Sequence, residues 1–180
     1  NTYYYHKILY SKKIECKSKN ISINGKPMII IKGRNGLIKF GDNVTLRSRN
    51  YGYHLNMYGP VKLFADNGKI EIGDNTRLNG ACLHAQKEII VGNNCLFAAN
   101  TNIIDSHGHL PLLEDSQKRI YSRDEPEKII IEDNVWIGAN VTVLPGVKIG
   151  KGSIIGVGSV VHKNIPPNSI YSGNPIEKIK

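Results

Sequence analysis

Ile131-Glu132-Asp133-Asn134-Val135-Trp136-Ile137-Gly138-Ala139-Asn140-Val141-Thr142-Val143-Leu144-Pro145-Gly146-Val147-Lys148-Ile149-Gly150 repeats with a period of six. Its aliphatic residues Ile131, Ile137, Val143 and Ile149 are followed in the same phase by Ile155 and Val161. Ile and Val together make up 36 of the 180 residues, so six hits in one phase would arise by chance about once in 16,000 trials, before allowing for choice of phase and start. Three places after each aliphatic residue stands Asn134, Asn140, Gly146, Gly152, Gly158 or Asn164. Asn and Gly tolerate positive φ, so each hexad predicts a short strand and a sharp corner. The next column, Val135, Val141, Val147, Ser153 and Ser159, is small or β-branched and suits the filling of a corner. Six does not fit a period of 3.6, and Gly or Asn at every sixth position would weaken a helix repeatedly, each Gly by about 1 kcal/mol relative to Ala. Three hexads per coil close a triangular prism instead, whose faces are parallel sheets with strands about 4.8 Å apart.

Outward from this stretch the pattern weakens. Phe40-Gly41-Asp42-Asn43-Val44 leads to Leu46, Ile72-Gly73-Asp74-Asn75-Thr76 to Leu78, and Val91-Gly92-Asn93-Asn94-Cys95 to Phe97 and Ile103. The thirteen-residue step from Leu78 to Val91 predicts one corner with an extra residue, and Arg47 to Leu63 is out of phase. The expectation is an all-β chain: an N-terminal cap or extension over 1–20, a β-helix of about eight coils over 21–166, and a C-terminal tail over 167–180. Raw ends need covers. The tyrosines Tyr3, Tyr4, Tyr5 and Tyr10 could supply one, and Ile165-Pro166-Pro167 is expected to end the ladder because proline lacks the amide donor.

A chain of 180 residues and 20.0 kDa is sized for one domain. At 40% hydrophobic it is neither disordered nor, with its longest apolar runs far below the roughly 20 residues a span needs, a helical membrane protein. The net charge of +9 favours anionic partners in general. No aromatic and basic interleaving points to nucleic acid, and that class is set aside. Three cysteines without metal-site spacing suggest a reducing compartment, hence a cytoplasmic protein or one peripheral to a membrane. Cys82 and Cys95 are expected to fill corners.

Between Ile103 and Ile131 the period disappears, and the gap from about 105 to 127 holds Asp105-Ser106-His107-Gly108-His109. Long breaks in compact repeats are often functional. His109 is the candidate general base, weighed evenly against a loop histidine with a structural hydrogen bond. His107 could orient it or face solvent, and Asp105 could fix a tautomer. A metal site completed by His84 or a cysteine matches no usual spacing, so no metal is expected. There is no Gly-x-Ser-x-Gly elbow to support a serine hydrolase.

The segments Ile131–Asn140, Val143–Gly150 with Gly158-Ser159-Val160-Val161, and Ile165-Pro166-Pro167 with Ser172-Gly173-Asn174-Pro175 resemble the hexapeptide-repeat acyltransferases, in the branch of galactoside and maltose O-acetyltransferases and capsule and lipopolysaccharide O-acetyltransferases. The resemblance implies a left-handed β-helix with an extruded catalytic loop and short C-terminal cap. It implies a homotrimer with sites between subunits, and acetyl-coenzyme A as donor to a sugar or polysaccharide acceptor. His109 falls on the family's base, although His107 stands where an Asp is common. Asn79 falls near the acceptor-side asparagine. Trp136, Ala139, Val157, His162 and Lys163 fall along the coenzyme A groove. Glu177 stands where a basic residue often meets phosphate, and Lys178 and Lys180 could compensate. The rivals are amino-sugar N-acetyl transfer and a catalytically silent β-helix that binds or scaffolds.

Overall fold

The computed structural model describes residues 11–18 and 20–180, so the expected tyrosine cover lies outside the described residues. The strands come in threes. They are β1 (Ile14–Cys16), β2 (Ile21–Gly25) and β3 (Met28–Lys32); β4 (Leu37–Phe40), β5 (Val44–Ser48) and β6 (Lys62–Asp66); β7 (Lys69–Ile72), β8 (Arg77–Asn79) and β9 (Cys82–Ala85). Then follow β10 (Glu88–Val91), β11 (Leu96–Phe97) and β12 (Asn102–Ile104); β13 (Ile129–Ile131), β14 (Trp136–Ile137) and β15 (Thr142–Val143); β16 (Lys148–Ile149), β17 (Ile154–Ile155) and β18 (Val160–Val161). Every third strand pairs in parallel, which makes three sheets headed by β1, β2 and β3. The chain is a left-handed parallel β-helix.

Registered columns fill the prism. Phe40, Ile72, Val91, Ile131 and Ile149 stack under the first sheet, Leu46, Leu78, Phe97, Ile137 and Ile155 under the second, and Leu63, Leu83, Ile103, Val143 and Val161 under the third. The six residues that set the period are each no more than 1% exposed. Corners turn as the pattern predicts at Asn134 (φ 60°) and Asn140 (φ 57°). Asn164 departs: it is not among the positive-φ residues, and its side chain accepts instead from the Lys148 amide at 2.8 Å.

Four expectations change in detail. Among the described residues the prism has six full coils and a partial seventh rather than eight, about 30 Å at the strand spacing, because the strands of the early coils are up to five residues long and 49–61 and 105–128 leave the ladder. The first described rung is Ile14–Cys16, within the stretch expected to be a cap. The thirteen-residue step is two changes: the corner at Asn79-Gly80-Ala81 is one residue short, and Ala85 and Ile89 add a second inward pair on the next two faces. Cys82 lies on the outer face of β9, with Ala81 in the corner.

Pro166 and Pro167 do not end the ladder. The positive-φ corner residues donate back to the preceding coil, as Asn168 to Lys151, whereas the amide just after the inward residue of the first sheet donates to the next coil, as Gly92 to Ile131 and Gly150 to Ile165. Pro166 takes that second position, after Ile165, the ladder partner of Ile149. A corner in the last coil therefore needs no outgoing donor, and proline is tolerated there. Beyond it β19 (Ile170–Ser172) extends the second sheet, β20 (Glu177–Lys178) folds back antiparallel, and buried Ile176 closes the core.

Candidate functional site

The interruption leaves the third sheet after Ile104 and returns at Ile129. Its base is closed by the Glu127 amide, which donates to the Asp105 carbonyl at 2.7 Å. Within it lies a six-residue helix, α1 (Ser116–Tyr121), where the sequence suggested no regular structure. The Asp115 side chain accepts from the Lys118 amide at 2.8 Å and caps it.

Asp124 organises the histidine turn. Its carboxylate accepts from the Ser106 hydroxyl (2.6 Å), the His107 amide (2.5 Å) and the Gly108 amide (3.2 Å). Burial resists its ionisation, but those hydrogen bonds outweigh burial and hold its pKa below the ordinary value. Gly108 has φ 87° with open space around it, a backbone setting that favours glycine and carries the chain to His109.

His109 is exposed, and its Nδ1 lies 3.2 Å from the Ser122 carbonyl oxygen. A carbonyl only accepts, so that nitrogen carries the proton and Nε2 keeps its lone pair. The Ser122 hydroxyl accepts from the Leu110 amide at 2.9 Å, which ties both sides of the loop together. A backbone carbonyl and not a carboxylate therefore holds the ring. Nothing in the sequence singled out Ser122 or Asp124, because their role depends on the path of the loop.

Asp105 does not support a histidine in the expected way. It is buried in the column beneath Ala85, and its carboxylate accepts from the Gln86 (2.7 Å) and Lys87 (2.8 Å) amides. Burial raises its pKa against those bonds. His107 is exposed, with its backbone held by Asp124. His84 is on the outer face of β9, stacked on Phe64 with centroids 4.5 Å apart, and its Nε2 is buried without a partner. Burial lowers its pKa despite the nearby Asp105 and Asp66. Asn79 is buried at the end of β8; its amide nitrogen donates to the Phe97 carbonyl at 2.7 Å, while Oδ1 has no partner.

The remaining candidates lie elsewhere on the prism. Trp136 is exposed on the second sheet, between Leu96 and Ile154. Ala139 and Val157 lie at the corner from the second to the third sheet, where the Gly158 amide donates to the Ala139 carbonyl at 2.8 Å. Buried Ala139 packs against Ala99 and against Met57 from the 49–61 excursion, a neighbour the sequence gave no sign of. His162, Lys163, Lys178 and Lys180 are exposed, and no ion pair engages these lysines among the described residues. The histidine loop thus sits at the corner from the third to the first sheet, one face away from Ala139 and Val157. Among the described residues no three His, Cys, Asp or Glu side chains converge as metal ligands, and no helix is long and apolar enough to cross a membrane.

Residues 128–163 match the family model for the bacterial transferase hexapeptide (six repeats). The galactoside O-acetyltransferase of Lactococcus lactis is 48% identical over 88 residues, covering 49% of this chain and 41% of that protein, so the chain spans less than half the length of that relative. The WbbJ protein of Escherichia coli K12, described as a lipopolysaccharide biosynthesis O-acetyl transferase, is 33% identical over 151 residues, covering 81% of this chain and 72% of its own length. Among solved structures, AntD, an N-acyltransferase from Bacillus cereus in complex with dTDP and 3-hydroxybutyryl-CoA, superposes with a TM-score of 0.68 at 22% identity, covering 93% of this chain and 81% of its own.

Proposed function

This chain belongs to the bacterial hexapeptide-repeat transferases, and from that membership we propose that it moves the acetyl group of acetyl-coenzyme A to a hydroxyl of a sugar or bacterial surface polysaccharide. The observation that carries the reading is the setting of His109, whose Nδ1 faces the Ser122 carbonyl and whose Nε2 is free to accept a proton. His109 takes the proton of the acceptor hydroxyl as its oxygen attacks the thioester carbonyl. A backbone amide stabilises the tetrahedral oxyanion. As that intermediate collapses, the carbon–sulfur bond breaks and the imidazolium returns its proton to the departing thiolate. The acetyl ester, free thiol and neutral histidine balance the step.

Trp136, Ala139 and Val157 line the donor groove in this proposal, and His162, Lys163, Lys178 and Lys180 meet its phosphates, with Lys178 and Lys180 offsetting Glu177. Asn79 and His107 lie on the acceptor side. A single prism carries the histidine loop and the donor corner on different edges, which supports a homotrimer whose clefts pair the loop of one copy with the corner of the next. Exposed Leu113, Ile120 and Tyr121 on the loop suit such a neighbour. Three free cysteines fit a reducing, cytoplasmic setting. Thiol release from acetyl-coenzyme A is measured against a panel of sugars and polysaccharides. His109→Ala should cut turnover by about 10²–10⁴-fold with coenzyme A binding retained, and full activity in that variant with a confirmed acceptor removes the histidine mechanism.

A further inference from the structure

The outer face that carries Trp136 continues toward the first coils to a pair of arginines. Arg47 on β5 is registered beside Asn79 on β8, and Arg77 is registered beside Thr45, two residues before each of them. Alternation along the strands turns Arg47, Arg77 and Asn79 to the same side. The six strands of this sheet from Ile21–Gly25 to Ile154–Ile155 contain no Asp or Glu. Among the described residues neither arginine has an ion-pair partner.

Two polar atoms here are left over. The Arg47 guanidinium lies over the Tyr53 ring, 5.5 Å from its centroid, while its Nε is buried without a hydrogen-bond partner. The Asn79 Oδ1 is buried and unpartnered in the same way. An orphaned donor on one strand and an orphaned acceptor on its ladder neighbour are groups a ligand hydroxyl can serve, since a hydroxyl both accepts and donates. Tyr53 and Ala98 pack on the cluster of Met57, Ala99 and Ala139. The arginines are thereby joined to the corner where the donor thioester is proposed to lie. Burial raises the Tyr53 pKa, and the positive charges of Arg47 and Arg77 act against that rise.

We propose that Arg47 and Arg77, with Tyr53 and Asn79, select an acceptor that carries an anionic group, a sugar bearing a carboxylate or a phosphate. Guanidinium forks match both anions in geometry and need no deprotonation. The strands on either side of the two arginines carry no carboxylate, so among the described residues neither guanidinium has an anionic partner for an acceptor to displace. This inference rests on the transferase reading for the direction in which the bound hydroxyl points, but the charge preference can be measured without turnover.

Equilibrium dialysis compares radiolabelled glucose, glucuronate and glucose 1-phosphate on the full chain, in the presence of coenzyme A. At least one charged sugar should bind about tenfold more tightly than glucose, the scale of one charge-assisted contact. Arg47→Gln should remove that preference and leave coenzyme A affinity unchanged. Arg49→Gln removes the same charge from an exposed residue two places on and should leave the preference intact, which separates a site from the general pull of the net charge. Should Arg47→Gln fail to fold, Arg77→Gln on the exposed strand position gives the same reading. A preference for glucuronate alone assigns a carboxylate, and for glucose 1-phosphate alone a phosphate. Equal or undetectable binding of all three sugars, or a preference that survives both arginine substitutions, overturns the proposal. Failure of the wild type to bind coenzyme A overturns the transferase reading instead and leaves the charge preference to stand on the sugar data.

Discussion

Asp124 holds the turn before the base without facing the reaction itself, so Asp124→Ala should impair transfer and spare the fold. Its carboxylate accepts from the Ser106 hydroxyl and the His107 and Gly108 amides. Hydrogen bonds to a charged group contribute about 1.5–3 kcal/mol where buried, and the half-exposed setting of Asp124 discounts the set toward the lower end. Loss of about 1.5 kcal/mol from the ordered loop lowers its population ratio by about tenfold, which bounds the fall in turnover when the ordered form predominates. The readout is kcat for acetyl transfer beside KM for acetyl-coenzyme A: kcat should drop and KM should hold, because the donor corner is built from another edge of the prism. The melting temperature should not move, since the apolar core takes no residue from 106–128 and only Asp105, at the base of the loop, enters a column. Asp124→Asn, which keeps one acceptor oxygen, should recover part of the loss. Because the folded pKa of Asp124 is depressed, its contribution is fully present above the ordinary carboxylate value, near pH 4, and is lost as pH falls through the folded value. Unchanged kcat in Asp124→Ala, or a parallel loss of melting temperature, refutes this account of the loop.

Ile149 is 0% exposed, and Ile149→Ala should cost about 2–5 kcal/mol in chemical denaturation through lost burial and a cavity; a loss under about half a kcal/mol contradicts its place in the column. Burial raises the Cys95 thiol to about 11, so it should stay unreactive to a disulfide reagent at pH 8 until the chain unfolds, whereas partly exposed Cys16 and Cys82 react in the native state. Lys163→Glu should weaken coenzyme A and flatten the salt dependence of its binding, and equal affinity for both proteins across a salt series would show Lys163 to be surface charge alone.

The hexads determined the coil, the inward columns and most corners before any coordinates, because side-chain alternation and positive φ are local demands written at fixed spacing. Ile131, Ile137, Val143, Ile149, Ile155 and Val161 could be placed inside from their phase alone. His109 could be singled out because it sits where that phase stops. Three-dimensional contacts decided the rest. Asp105 reads like a partner for a histidine two or four residues on, yet the register of β12 on β9 drops it beneath Ala85, where the Gln86 and Lys87 amides need an acceptor more than any exposed ring does. The actual holders, Ser122 and Asp124, come from the far arm of the loop, thirteen and fifteen residues beyond His109, at no spacing a local pattern could mark. Arg47 and Asn79 are thirty-two residues apart in the chain and become neighbours only because a coil closes between them. A repeat records what every coil must do, whereas a site is made where two distant pieces meet once, and only the closed fold specifies that meeting.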